Sequence, residues 1–439
     1  MSIKVALETL GCKVNQYESS HFLETLCNAG FEPVSFRDPA DVYIVHSCAV
    51  TSRACYQTRQ MLRRAQRLNP EAVIVVAGCN AQLEPDRLAR ERLATHILGN
   101  REKFDLLHWL RQPGGLAAPC LAISDPRSFG ECPPTPVGRM HSGRIRAFLK
   151  IQDGCNAFCS YCVVPYTRGR SRSLPREAVR EQMDLLLLHG YPEVVLTGIH
   201  LGQWGKDLDP PQGFADLLEY LARGDMPRQV RLSSLESTEI GGDLLRRMTS
   251  WPWLCPHFHV PLQSGDEEIL KLMNRPYSPA QYAEVVEELH RLFPDAALGA
   301  DVLVGFPGET ERQFQNTFRF ISRLPLTYLH VFPYSPRPGT RAAALPGRVT
   351  GDALKQRARA LQILGEQKKQ AFRERFLGRE VEVIAESREP GGLWQGTSGN
   401  YLQVFFPAPP DLPQGTAVRI HPVKSGPKGL FGEMISIVT

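Results

Sequence analysis

The sequence predicts an α/β protein in three parts: an N-terminal parallel α/β domain, a central partial (β/α)6 barrel and a small antiparallel β-barrel at the C-terminus. Three observations predict it. Apolar strand-like runs alternate with helical patterns twice, over residues 1–112 and again from 141 to 335, as parallel sheets with helical crossovers require. A stretch with six prolines and no periodicity, Pro113 to Gly138, separates the two alternations. From Arg379 onward, short β-rich runs are divided by Gly and Pro turns. The expected boundaries are 1–112, a linker over 113–140, a central domain over 141–371 and a tail domain over 372–439.

In the first part Lys4–Leu10, Asp41–Val45 and Ala72–Val76 read as strands, and Tyr17–Ala29 and Ser52–Leu68 as helices. A cysteine follows each strand: Cys12, Cys48 and Cys79. The carboxyl ends of parallel strands share one edge, where ligands bind. Three cysteines distant in sequence are therefore expected to converge. Cys27 and Cys55 fall within helical patterns and read as packing residues. Cys120 and Cys132 lie in the linker and take no role.

The central part opens with the strand Arg146–Gln152, followed at once by Cys155, Cys159 and Cys162 at C-x3-C-x2-C spacing. Five further strands follow: Val194–Ile199, Gln229–Leu235, His257–Leu262, Gly299–Phe306 and Tyr328–Ser335. Helices are expected between them at Arg176–His189, Phe214–Arg223, Gln281–Phe293 and Glu311–Leu324. Six units are too few for a closed eight-fold barrel and suit an open one, with its chemistry on the loops after the strands. Three thiolates on one short loop can hold three corners of an iron–sulfur cube and leave the fourth iron open. A zinc site completed by a distant fourth ligand is the competing reading of that spacing.

A long basic helix is expected from Thr350 to about Gly378. Strand-like runs at Glu380–Glu386, Tyr401–Phe406, Thr416–His421 and Gly432–Val438 build the tail barrel. No uncharged apolar run reaches the length of a membrane span, and Met1–Glu8 lacks a signal-peptide pattern. A cytoplasmic protein is expected, monomeric by default. Disulfides are disfavoured in that compartment, so eleven cysteines point to metal. The net charge of +5 is unevenly spread: residues 139–180 carry nine Lys/Arg against two acids, 53–67 five against none, and 355–379 eight against two. Such segregation suggests a polyanionic partner, most simply nucleic acid.

The combined pattern resembles the methylthiotransferase family of radical S-adenosylmethionine (SAM) enzymes over nearly the whole chain. The motifs that carry the resemblance are Thr9-Leu-Gly-Cys-Lys-Val-Asn-Gln-Tyr-Glu-Ser19, Ser47-Cys-Ala-Val-Thr51, Gly78-Cys-Asn-Ala-Gln82 and Ile151-Gln-Asp-Gly-Cys155 through Pro165-Tyr-Thr-Arg-Gly169. The wording of the first motif, of Leu196–Gly202 and of Leu329–Ser335 is most similar to the MtaB type. Two departures stand out, His46 in place of a usual Asn and Asn80 in place of a frequent aromatic. Neither removes a cysteine.

The resemblance implies a radical SAM core and a tail like the TRAM RNA-binding domain. It implies two 4Fe–4S clusters, an auxiliary one on Cys12, Cys48 and Cys79 and a SAM-cleaving one on Cys155, Cys159 and Cys162. It also implies SAM, a reductant such as flavodoxin or ferredoxin, and tRNA bound at its anticodon region. The implied reaction is methylthiolation of C2 of N6-threonylcarbamoyladenosine at position 37. Isopentenyladenosine tRNA and an aspartate of a ribosomal protein are the alternative targets within the family, and a non-catalytic iron–sulfur or RNA-binding protein is the alternative outside it. Candidate SAM contacts are Gly198, Gly202, Ser234, Glu236 and Asp301. Arg168, Arg170 and Arg172 are candidates for RNA phosphates or the threonylcarbamoyl carboxylate.

Overall fold

The structure, a computed structural model, describes residues 2–139 and 145–438. The boundary expected at 140/141 lies outside the described residues. The N-terminal domain runs β1 (Lys4–Thr9), α1 (Lys13–Asn28), β2 (Glu32–Val34), β3 (Val42–Ser47), α2 (Ser52–Leu68), β4 (Val73–Gly78), α3 (Cys79–Leu83), α4 (Pro85–Arg90), β5 (His96–Leu98), α5 (Leu106–Trp109) and β6 (Cys120–Ala122). Its six strands form one parallel sheet in the order β2-β1-β3-β4-β5-β6. Alternate residues face opposite layers, as the two-residue period of a strand dictates. Val5, Ile44, Val75 and Ala77 pack with Phe22 and Leu26 of α1, while Ala6, Tyr43, Val45, Ile74 and Val76 pack with Leu62 and Ala65 of α2. Burial on both faces explains why β3 and β4 read as unbroken apolar runs.

The strand β6 corrects the linker reading. It lies within the stretch taken as a connector and pairs in register with β5, His96 opposite Cys120 and Leu98 opposite Ala122. Cys120 is thus a strand residue, and the first domain extends past 112. A three-residue strand is too short to show a period among prolines and glycines, so composition hid it. The rest of the connector is also fixed. Tyr17 donates from its hydroxyl to the Thr135 carbonyl at 2.5 Å, and Gln182 brackets Val137 with bonds of 3.1 and 2.8 Å.

The central domain begins with β7 (Arg146–Lys150). A short antiparallel pair, β8 (Gln152–Asp153) with β9 (Arg172–Ser173), flanks the cysteine loop and α6 (Val164–Arg168). Then come α7 (Arg176–Leu188), β10 (Glu193–Thr197), α8 (Phe214–Ala222), β11 (Gln229–Leu232), α9 (Gly242–Met248), β12 (His257–His259), α10 (Glu267–Leu272), α11 (Pro279–Leu292), β13 (Ala297–Val304), α12 (Glu311–Arg323) and β14 (Tyr328–Pro333). The strands β7, β10 and β11 form one parallel half-sheet, and β12, β13 and β14 another. The halves join where Val230 bridges Leu254 and the Leu235 amide donates to the His259 carbonyl at 3.0 Å. This is the expected open six-stranded arc, with α9 and α10 as helices the periodicity did not show.

The helix α13 (Gly351–Glu374) leads to the tail, where β15 (Val381–Arg388), β16 (Trp394–Ser398), β17 (Gln403–Phe406), β18 (Ala417–Ser425) and β19 (Leu430–Ile437) close into a barrel in the order β15-β16-β17-β19-β18. Closure leaves no free sheet edge. The fifth strand, β16, was not read from the sequence, because Gly396 interrupts its short run. The tail is tied to the central domain by Arg146–Glu386 at 2.8 Å, Arg228–Glu382 at 2.7 Å and Arg231 Nη1 on the Gly399 carbonyl at 2.7 Å. Part of the basic charge in α13 is internal: Arg357 is buried against Glu309 at 2.8 Å. Among the described residues no helix is long and apolar enough to cross a membrane.

Candidate active site

The two cysteine sets lie on the carboxyl edges of their sheets, as the strand positions require. Cys12 stands at the N-terminal end of α1, Cys48 follows β3, and Cys79 opens α3. Gly11 adopts φ +102°, and a Cβ there would lie 2.8 Å from the Cys48 sulfur, so glycine lets the Cys12 loop close onto Cys48. Burial, then the neighbouring Cys79 and Cys12, push the Cys48 thiol up to about 12. A metal cation bound there would be the partner that lets all three thiols ionise.

The second set is held from below. Gly154 takes φ +74°, where a Cβ would strike the Arg170 carbonyl at 1.9 Å. Phe158 is also left-handed, φ +47°, with its carbonyl accepting from Asn274 at 3.1 Å. Arg275 donates to Cys159 Sγ at 3.4 Å and pairs with Glu236, and the His200 ring lies 3.3 Å from Cys155 Sγ. Burial comes first among the causes that push the Cys162 thiol up to about 12, and Cys159 and Cys155 add to it.

The sets face each other. Ala49 and Cys79 pack against Val163, the residue after Cys162. Asn100 donates to Cys79 Sγ at 3.6 Å and to the Thr167 carbonyl at 2.8 Å. Arg337, from the loop after β14, donates to the Ala49 carbonyl and to Cys55 Sγ, both at 3.2 Å. Cys55 therefore packs as expected, against a charged partner. A cleft of about 190 Å3 lies between, lined by Thr51, Cys162, Gln263, Asp301, Phe332 and Ser335 among others.

Beneath the cleft a buried ion network joins the domains. Glu18 accepts from Lys103 at 2.7 Å, Lys150 at 3.1 Å and both terminal nitrogens of Arg168 at 3.2 Å. Arg168 also donates to Asp153 at 2.8 Å and Asn15 at 2.6 Å. His46 lies 3.5 Å from Glu18, and its ring is held well below the usual imidazole range by burial and by Lys103. Burial alone would raise Glu18; Arg168, Lys103, Lys150 and His46 outweigh it and hold the carboxyl well below the usual range. A group depressed in the folded state stabilises above its unfolded value, about 4.3, and loses that contribution as pH falls through the folded one. The melting temperature is thus expected to drop steeply below about pH 4, with a shallower acid limb in Glu18→Gln, as circular dichroism between pH 2.5 and 7 would read.

The network corrects one sequence expectation. Arg168 is 1% exposed and fully engaged inside the protein, so it is not placed for RNA. Arg172 covers the Phe129 ring at 5.3 Å and donates to the Arg168 carbonyl at 2.8 Å. Of the three arginines Arg170 is exposed. The candidate SAM contacts divide similarly. The space beside Gly198 is filled by Gln152, which would meet a Cβ at 2.8 Å, and that beside Gly202 by Glu239 at 2.2 Å. Both glycines serve close packing of the chain on itself at that face. Gln152 in turn bonds the Gly154 carbonyl at 2.7 Å and the His200 amide at 2.8 Å, tying two loops together. Glu236 supports Arg275 and through it Cys159. Ser234 is exposed after β11. Asp301 opens on the cleft and accepts from His259 at 2.9 Å and His330 at 3.2 Å. Burial alone would raise its carboxyl, and the two imidazoles hold it below the usual range.

Comparison with known proteins agrees with this geometry. Residues 149–321 match the radical SAM superfamily, and residues 4–99 match the uncharacterized protein family UPF0004. A protein of Aquifex aeolicus named threonylcarbamoyladenosine tRNA methylthiotransferase MtaB is 38% identical over 88% of this chain and 94% of its own. A Bacillus subtilis protein of the same name is 34% identical over 99% of this chain and 97% of its own. This chain belongs to the methylthiotransferase family.

It is therefore a transferase of the radical SAM superfamily, which implies SAM and a 4Fe–4S cluster. A Syntrophobacter fumaroxidans relative, 34% identical over 98% of this chain and 95% of its own, is named tRNA-2-methylthio-N(6)-dimethylallyladenosine synthase. Among solved structures, the radical SAM methyltransferase TsrM of Kitasatospora setae shares the fold, with TM-score 0.56 and 16% identity over 78% of this chain and 75% of its own. In this methylthiotransferase the supporting residues Glu18, Lys103, Arg275 and Arg337 escaped the sequence reading. Glu18 lies within the first cysteine motif, six residues after Cys12.

Proposed function

We propose that the chain methylthiolates C2 of N6-threonylcarbamoyladenosine at position 37, beside the anticodon of tRNA, with two 4Fe–4S clusters. The observation that carries this reading is that the two cysteine-bearing edges meet, with Ala49 and Cys79 packed on Val163 beside Cys162 and Asn100 joining Cys79 to the Thr167 carbonyl. Cys155, Cys159 and Cys162 would hold the SAM-cleaving cluster, and Cys12, Cys48 and Cys79 an auxiliary one. Each set supplies three thiolates, so one iron in each lacks a protein ligand. When bound, the clusters and SAM supply a carbon radical able to break an aromatic C–H bond and the sulfur for the new C–S bond.

The protein's own residues orient and shield. Arg275 donates to Cys159, and Glu236 fixes the guanidinium. Arg337 and Asn100 hold the two cysteine-bearing edges at one spacing, which a reaction between two sites requires. Asp301, with His259 and His330 as donors, offers a carboxylate on the cleft wall for a polar group of substrate or SAM. A soluble donor such as flavodoxin or ferredoxin would deliver the electron in the cytoplasm, and the closed tail barrel and exposed Arg170 are available to RNA. The names of the relatives support tRNA as the substrate.

The test is nucleoside mass spectrometry of tRNA carrying both threonylcarbamoyladenosine and isopentenyladenosine, after anaerobic incubation with reconstituted protein, SAM, reductant and sulfide. A methylthio increment on the former alone is expected. An increment on the latter alone would assign the dimethylallyl substrate instead, and release of 5′-deoxyadenosine with neither would move the target away from tRNA.

A further inference from the structure

A second cavity, of about 440 Å3, lies where all three domains meet: Lys13 from the start of α1, Arg146, Phe148 and Arg231 from β7 and β11, Tyr401 and Glu386 from the tail. Its charges do not balance. Arg146 and Arg231 each reach Glu193 at 2.8 Å, and Arg146 also reaches Glu386 at 2.8 Å. Arg231 is further bound to the Gly399 carbonyl at 2.7 Å and the Ser398 carbonyl at 3.3 Å. Both guanidinium groups lie over the Tyr401 ring, at 5.3 and 4.7 Å. The two arginines and two carboxylates thus satisfy one another. Lys13 faces the same cavity and makes no ion pair or hydrogen bond among the described residues. Among the described residues lining the cavity, Lys13 is the cation without an ion pair, and Glu193 and Asp301 act on it only at longer range.

We propose that Lys13 binds the free carboxylate of the substrate's threonylcarbamoyl group and so determines specificity for it, an inference that rests on the reaction proposed above. In that group the threonine nitrogen is part of a carbamoyl linkage, so the α-carboxylate is its one ionised site. A carboxylate leaving water needs a cation with donors to spare, and an ammonium offers three. An isopentenyl group brings no charge and would leave the lysine desolvated without a partner, which works against that substrate. Lys13 also follows Cys12 directly, so the cavity adjoins the edge at which the adenine is to react. Arg168, expected from sequence to take such a carboxylate, is enclosed in the ion network and unavailable.

The test compares anticodon stem-loops bearing the threonylcarbamoyl group as the free acid and as its methyl ester, bound to the reconstituted full chain. Wild-type protein is expected to bind the acid about tenfold or more tightly than the ester, the range for a hydrogen bond to a charged group. In Lys13→Gln the ratio is expected to fall to about one, and in Lys13→Arg to stay well above one. A wild-type ratio near one overturns the proposal, as does a ratio kept in Lys13→Gln. Should the glutamine variant lose its clusters, Lys13→Met keeps the packing of the stem and gives the same reading. Turnover is measured separately: a chain that prefers the acid without methylthiolating it would refute the reaction and support the contact.

Discussion

Arg168→Met is expected to destabilise the protein by about 3–5 kcal/mol in urea unfolding, the range for removing one member of a buried ion pair. The loss is large because Arg168 serves two carboxylates at once. Glu18 would keep Lys103 and Lys150, at 2.7 and 3.1 Å. Asp153 would keep the Gly154 amide at 2.8 Å, but its remaining cations stand at 3.8 and 3.9 Å, beyond hydrogen-bond reach, so its buried charge would be poorly compensated. Asn15 would lose its donor at 2.6 Å as well. Arg168→Lys retains the charge and loses the planar fork, so an intermediate cost is expected. Arg170→Met, two residues on and exposed, is the control and should change stability by less than about 0.5 kcal/mol. A cost of that size at Arg168 too would show that the network does not bind the domains together.

Removing the three N-terminal thiols together should separate the two metal sites. In Cys12→Ala/Cys48→Ala/Cys79→Ala, iron per chain after reconstitution is expected to fall from about eight to about four, one 4Fe–4S cluster's worth. Release of 5′-deoxyadenosine should persist, because Cys155, Cys159 and Cys162 keep their own supports, Arg275 on Cys159 and His200 against Cys155. Methylthiolated nucleoside should become undetectable. The complementary variant, with all three loop cysteines changed to alanine, should lose SAM cleavage and product together. Full iron content in the first variant would place the auxiliary cluster on other residues.

The candidate metal positions can be picked out of the sequence because cysteine chemistry is local: a thiol directly after each strand, or three on one loop, points to a site without knowledge of the packing. The strands β7, β10 and β13 were legible for a related reason, since parallel strands largely buried on both faces read as apolar runs. What stayed hidden depends on contacts between distant segments. Glu18 sits mid-helix and looks like any surface acid until Lys103, Lys150 and Arg168 arrive from three other segments. Arg168 looked like part of a basic surface for the same reason, because a count of charges cannot tell a solvated arginine from one enclosed by carboxylates. Gly198 and Gly202 were read as openings for a cofactor, and the space they leave is filled by Gln152 and Glu239. β6 and β16 were missed because short strands broken by glycine and proline carry no period.

The stitched connector also decides how the molecule can move. A hinge is a short segment that absorbs a large backbone rotation without breaking the bonds around it. Residues 120–139 do not meet that description: β6 is sewn into a sheet, Thr135 is held by Tyr17, and Val137 by Gln182. The proline-rich stretch that composition marks as a linker is a strap over these residues. Over the described residues 120–139 it offers the N-terminal domain no hinge. A bulky substrate is then expected to enter past the loops around the cleft, between cysteine-bearing edges that Arg337 and Asn100 hold together.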